Sequence, residues 1–153
     1  MGISVAMAVY NGEKYIEEQI LSILKQLNCN DELVISYDKS TDGTYRIISD
    51  LAVRDSRIKI FSGPSLGVVK NFENALRNCK NDYIFLSDQD DIWLDAKIHN
   101  VIKTFKSNHA DLILHDCIVI DEKNKVIHPS FFKWRRCRRG FLHNVIKNSY
   151  IGC

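Results

Sequence analysis

Apolar strand-like runs alternate with helix-like stripes along most of this chain, and that alternation confines it to a mostly parallel sheet flanked by helices. The strands read as Ile3 to Val9, Leu33 to Tyr37, Ile58 to Phe61, Tyr83 to Ser87 and Leu112 to Ile120. Between them, three sets repeat at helical spacing: Ile16, Ile20, Ile23, Leu24 and Leu27; Val68, Phe72, Ala75, Leu76 and Cys79; and Leu94, Ile98, Val101, Ile102 and Phe105. Tyr45, Ile48, Leu51 and Ala52 form a weaker stripe after the second strand. All of these stripes are expected to face the core. Beyond Ile120, Asp121 to Lys125 reads as a turn, and Val126-Ile127 as a short returning strand.

A length of 153 residues suits one domain with a substantial core. The net charge of +2 exerts no global pull on nucleic acid, so partners must be sought locally. The early apolar run from Ile3 to Val9 is too short to cross a bilayer and has the wrong flanks for a signal peptide. Five cysteines (Cys29, Cys79, Cys117, Cys137 and Cys153) contain no CxxC pair and no zinc spacing, which points to free thiols in a reducing cytoplasm.

In open sheets of this kind ligands sit beyond the carboxyl ends of the strands. Those ends are polar here: Tyr10-Asn11-Gly12-Glu13, Asp38 to Thr44, Ser62 to Gly67, and Ser87-Asp88-Gln89-Asp90-Asp91. In the last string two carboxylates at strand spacing, Asp88 and Asp90, repel unless a cation sits between them. An ion such as Mg²⁺ or Mn²⁺ that also holds a diphosphate would answer this. The competing reading is an acidic start to a helix beginning near Trp93, with Asp91 as its N-cap. Asp38 sits at a strand mouth, where it can accept an imide N–H or a ribose hydroxyl, while Ser40, Thr41 and Asp42 read as caps of the next helix. Gly67, Lys70 and Asn71 open the third stripe and can hold a diphosphate, or form only a glycine turn and a solvated face. Neither G-x-G-x-x-G nor the P-loop pattern occurs.

Lys133 to Arg139 contains five cations and Trp134, suited to anionic headgroups or to a mobile solvated loop. Its aromatic content is too thin for a single-strand nucleic-acid platform. His115 and Asp116 belong to the fifth predicted strand, expected to run beside the acidic string, with a structural histidine as the simpler reading.

Taken in order, SVAMAVYNGEKYIEEQILSIL, ELVISYDKSTDGT, LGVVKNFENAL and YIFLSDQDDIW resemble a family 2 glycosyltransferase of GT-A fold. The resemblance is to the bacterial rhamnosyltransferase-type branch that builds O-antigen, capsule and exopolysaccharide. It implies an α/β fold, a GT-A-like, Rossmann-type mostly parallel sheet flanked by helices, C-terminally truncated, with residues 1–153 one nucleotide-sugar-binding domain. By that resemblance Ala8, Tyr10 and Glu13 line the nucleotide pocket, Asp38 binds base or ribose, and Asp88 with Asp90 is the DxD pair. Asp90 holds metal and diphosphate, Asp88 lies beside the ribose, Asp91 assists, and Trp93 supports the loop or approaches the acceptor.

Two departures are visible. Where the family commonly has two acids followed by Gly, this chain reads Tyr37-Asp38-Lys39, so Asp38 is retained and Lys39 replaces the permissive Gly, and the acidic catalytic base is expected beyond Cys153. The implied activity is inverting transfer from a UDP- or dTDP-sugar to a bacterial surface glycan or lipid-linked glycan, with Mn²⁺ or Mg²⁺. The implied location is the cytoplasm, at the inner membrane face, with peripheral contact through Lys133 to Arg139 and no nucleic-acid partner. A donor-binding remnant without the base is the alternative, and a phosphoacceptor domain of receiver type is a weaker one.

Overall fold

The computed structural model describes residues 2–137. Four strands, β1 (Ile3–Val9), β2 (Glu32–Tyr37), β3 (Ile58–Ser62) and β4 (Tyr83–Ser87), form one parallel sheet in the order β3-β2-β1-β4. Helices α1 (Ile16–Leu24), α2 (Thr44–Arg54) and α3 (Val68–Asn78) are the crossovers that a parallel sheet requires. All seven residues of β1 are buried, as expected of a central strand covered on both faces.

The register defines the two faces. Ala6 pairs with Val34 and Leu86, and Ala6 and Val34 pack with Ala75 of α3. Ser87 pairs with Met7 on the opposite face, where α1 lies with its fully buried Ile16, Ile20 and Ile23. The stripe of α3 is only partly core, because Val68 and Leu76 remain exposed at 62% and 38%.

The chain divides into two compact units, one running to Asn100 and the other from Val101. The helix after the acidic string, α4 (Lys97–Asn108), starts later than its apolar stripe suggests. Ala96 has φ of 62°, a left-handed conformation that interrupts a helix at this point, and Leu94 is exposed. Asp91 is therefore not its N-cap.

In the second unit, β5 (Val119–Ile120) pairs with β6 (Val126–His128), antiparallel across the predicted turn, and with no other strand among the described residues. The expected strand from Leu112 thus shrinks to two residues and does not join the four-stranded sheet. A short helix, α5 (Phe131–Trp134), follows, N-capped by Ser130, whose hydroxyl accepts from the Lys133 N–H. Among the described residues, Cys29 is exposed and Cys79 half-buried, and neither is in a disulfide. No helix among the described residues is long and apolar enough to cross a membrane.

Candidate functional site

The carboxyl ends of β1, β2 and β4, with the entry to α3, enclose a cleft of about 650 Å³, within the range of small-molecule sites. Its walls include Ala8, Tyr10, Asp38, Asn71, Asp88 and Asp90 from the predicted set. Glu13, Lys70 and Asp91 are not among the lining residues. A wider hollow of about 770 Å³ runs along the outer side of α1 and takes in Glu13, but it lacks the strand-end groups that give the first cleft its chemistry.

Asp38 is 6% exposed and held from two sides. Its backbone N–H donates to the Val9 carbonyl at 2.9 Å, and its Oδ1 accepts from the Ser65 N–H at 2.7 Å. Ser65 has φ of 56°, a left-handed conformation in the loop between β3 and α3. Lys39 is at negative φ, so the loop accommodates lysine where the family pattern has a different residue.

Asn71, on the first turns of α3, is 2% exposed. Its Nδ2 donates to the Val9 carbonyl at 3.3 Å, which fixes the amide orientation and turns Oδ1 away from that contact. Among the described residues, Asn71 Oδ1 is the one buried side-chain polar atom with no hydrogen-bond partner. Such an orphan acceptor costs about 1–3 kcal/mol until something donates to it.

The acidic string is half-buried at Asp88 and exposed at Asp90 and Asp91. Between the first two, Gln89 clasps the loop after β1: its Oε1 accepts from the Tyr10 N–H and its Nε2 donates to the Tyr10 carbonyl, both at 2.9 Å. Trp93 turns inward at 4% exposure against Phe85, ring centroids 5.6 Å apart, which suits loop support. Asp88 and Asp90 present oxygen donors to the cleft, and no three His, Cys, Asp or Glu side chains converge on a metal position among the described residues. Two carboxylates completed by water and substrate phosphate oxygens are a donor set that Mg²⁺ or Mn²⁺ accepts, so the residues fit such an ion.

Several groups have structural partners that their sequence positions did not reveal. Glu13 Oε2 accepts from the Gly43 N–H at 3.0 Å and ties the first loop to the second. Ser40 and Thr41 bond Asn11 rather than cap α2: the Asn11 N–H donates to Ser40 Oγ at 2.9 Å and the Thr41 N–H to Asn11 Oδ1 at 2.8 Å. Asp42 accepts from the Thr44 N–H and hydroxyl at the start of α2, and these bonds hold its carboxyl below the usual range despite the opposing effect of desolvation. Lys70 pairs with Glu73 along α3 at 2.7 Å. His115 lies in an irregular segment with Nδ1 3.1 Å from the Asp116 carbonyl. Of the basic run, Lys133, Trp134, Arg135 and Arg136 are exposed, and Arg138 and Arg139 lie outside the described residues. Gln89 and Ser65 are cleft residues that sequence reading missed, because both act through backbone geometry.

The family model described as glycosyl transferase family 2 matches residues 4–151. The dTDP-rhamnosyl transferase RfbG of Shigella flexneri is 41% identical over 113 residues, covering 69% of this chain and 38% of that protein. The UDP-Glc:α-D-GlcNAc-diphosphoundecaprenol β-1,3-glucosyltransferase WfgD of Escherichia coli is 28% identical over 155 residues, covering 99% of this chain and 57% of its own. This chain thus spans about half, or less, of the length of these relatives. The crystal structure of S. aureus TarS 1-349 with UDP-GlcNAc superposes with a TM-score of 0.63 at 25% identity, over 78% of this chain and 34% of that one. With nearly every residue inside the family model and a fold that superposes on TarS, this chain belongs to glycosyl transferase family 2.

Proposed function

We propose that this chain is the donor-binding part of an inverting glycosyltransferase that moves a sugar from a UDP- or dTDP-sugar to a bacterial cell-surface glycan. The observation that carries this reading is the orphan acceptor Asn71 Oδ1 beside Asp38 in the strand-end cleft. A uracil or thymine ring brings an imide N–H to such acceptors, whereas cytosine has no hydrogen at the same ring nitrogen. Relatives support the class: RfbG is a dTDP-rhamnosyl transferase, WfgD uses UDP-Glc, and TarS has been crystallised with UDP and UDP-GlcNAc.

In this reading Asp38 and Asn71 hold the base, Ala8 and Tyr10 line its pocket, and Asp88 lies beside the ribose. Asp90, with Asp88, is assigned to a divalent cation. A bound Mg²⁺ or Mn²⁺ supplies positive charge against the diphosphate that departs with the sugar's electron pair. The acceptor hydroxyl loses its proton to an acidic general base. A chain that binds nucleotide and transfers nothing would fit the donor-binding remnant instead. WfgD is named for a lipid diphosphate acceptor, and we extend the proposal to an acceptor at the inner membrane face, approached through Lys133 to Arg136.

Isothermal titration with UDP, dTDP and CDP, each with Mn²⁺ or EDTA, tests the reading. UDP and dTDP should bind at least about tenfold tighter than CDP, the worth of one well-made hydrogen bond to a buried acceptor. Asn71→Leu should narrow that margin, and Asp90→Ala should remove the Mn²⁺ dependence. CDP binding as tightly as UDP would sink the base assignment.

A further inference from the structure

Helix α1 carries two buried polar side chains three residues apart, Gln19 and Ser22, among the inward isoleucines Ile16, Ile20 and Ile23. Neither lines the cleft. A buried amide and hydroxyl are tolerated only when hydrogen-bonded, and both of these direct bonds at the acidic string. Gln19 Nε2 donates to Ser87 Oγ at 2.6 Å and to the Asp88 carbonyl at 3.1 Å. The Ser87 hydroxyl donates in turn to the Asp88 carbonyl at 3.0 Å. At the other end, Ser22 Oγ accepts from the Trp93 N–H at 3.0 Å and donates to the Gln19 carbonyl at 2.8 Å. The stretch from Asp88 to Ala96 belongs to no strand or helix, so side chains must fix its backbone where regular structure does not.

We propose that Gln19 is a positioning residue for the acidic segment: from the far side of the sheet end it orients the Asp88 peptide, and so presents Asp88 and Asp90 to the cleft. This rests on the reading of the cleft as a site for a nucleoside diphosphate with a divalent cation. Gln19 never touches the ligand. Its influence is confined to the part of the affinity that depends on the carboxylates, leaving the base contacts at Asp38 and Asn71 unaltered.

The test is Gln19→Met, which keeps the length and volume of the side chain and removes both donors. Ser87→Ala is a milder second variant that breaks one of the same bonds. Amide hydrogen exchange is expected to speed up by about tenfold or more between residues 88 and 93 while β2 and β3 keep their protection. By titration, UDP affinity with Mn²⁺ should fall about tenfold, and affinity in EDTA should change less than about twofold. Equal losses with and without Mn²⁺, or unchanged exchange in the segment, would overturn the inference and mark Gln19 as ordinary core. A wild-type chain that binds UDP regardless of Mn²⁺ would overturn both the cation assignment and this inference. One that binds no UDP would overturn the donor reading itself.

Discussion

Gly63 and Gly67 bracket the loop between β3 and α3, and each is glycine for a different reason. A Cβ on Gly63 would lie 2.2 Å from Asp38 Oδ1 and 2.7 Å from Asn71 Oδ1, so an added methyl displaces the two groups assigned to the base. Gly67 has φ of 90° and open space where its Cβ would be, so substitution there meets no neighbour and strains only the backbone. Gly63→Ala should therefore weaken UDP binding by about tenfold or more, since overpacking forces side chains out of place. Gly67→Ala should lower stability by about 1–3 kcal/mol in urea unfolding, the usual cost of a side chain in that region. If Gly63→Ala bound UDP normally, the close pairing of Asp38 and Asn71 would not matter to the ligand. Asp38, Asn71, Asp88 and Asp90 were legible in the sequence because they follow strands or open a helix, where a parallel sheet concentrates its ligand groups. Glu13 and Lys70 occupy equally suggestive positions. One is taken up by Gly43 and the other by Glu73 one turn along its helix, and neither partner can be read from spacing alone.

At the scale of elements, β1 to β4 and α1 to α3 follow from hydrophobic periodicity, because each stripe has a sheet to bury against. The apolar run from Leu112 is a strand over Val119–Ile120 alone, the stretch that pairs with β6 among the described residues: periodicity reports a side chain's preference, while a ladder needs a second backbone. The end of α2 offers a pH test. Arg57 beside Asp55, at 2.6 Å, holds the Asp55 carboxyl below the usual range, against the opposing effect of desolvation. A carboxyl depressed by folding stabilises the protein above its unfolded value near pH 4, and that contribution fades as pH falls through the folded value. Asp55→Asn should cost roughly 0.5–1.5 kcal/mol at neutral pH, and the gap from wild type should close on acidification. A gap that persists in acid would assign the loss to packing. The short helix α5 carries a different prediction. Trp134 is 50% exposed beside exposed Lys133, Arg135 and Arg136, an aromatic among cations that matches an anionic bilayer surface. In vesicle sedimentation, phosphatidylglycerol should promote binding over phosphatidylcholine alone. Replacing Lys133 and Arg135 by alanine should weaken it by about thirtyfold, at about 1 kcal/mol per cation. Sedimentation indifferent to anionic lipid would remove the membrane proposal.

The two ends of the four-stranded sheet treat their polar groups differently. At the amino end Asp31 accepts from the Ile3 N–H at 2.9 Å and the Asn28 N–H at 2.7 Å, and Glu32 accepts from the Ser4 hydroxyl at 2.6 Å and the Lys80 N–H at 2.7 Å. These buried acids are satisfied within the protein and serve the fold. At the carboxyl end Asn71 Oδ1 has no hydrogen-bond partner among the described residues, in keeping with the proposal that this end receives a ligand. The two faces differ as well. Ile84 and Leu86 pair in register with Ser4 and Ala6, on the side that α3 occupies, yet they remain 41% and 42% exposed. Leu76, Val68 and Val69 of α3 are exposed too. Among the described residues β4 is also an edge of the sheet, so these apolar side chains lie along an edge strand. Edges of this kind invite pairing with another chain. The 153-residue chain should therefore self-associate as its concentration rises, and sedimentation velocity across a dilution series should show the weight-average mass climbing. Ile84→Thr with Leu86→Thr puts β-branched residues suited to a strand at both positions and removes apolar surface from the face, so the double variant should stay monomeric to higher concentration. Identical behaviour of the two proteins would place the association elsewhere and leave this face without a role in it.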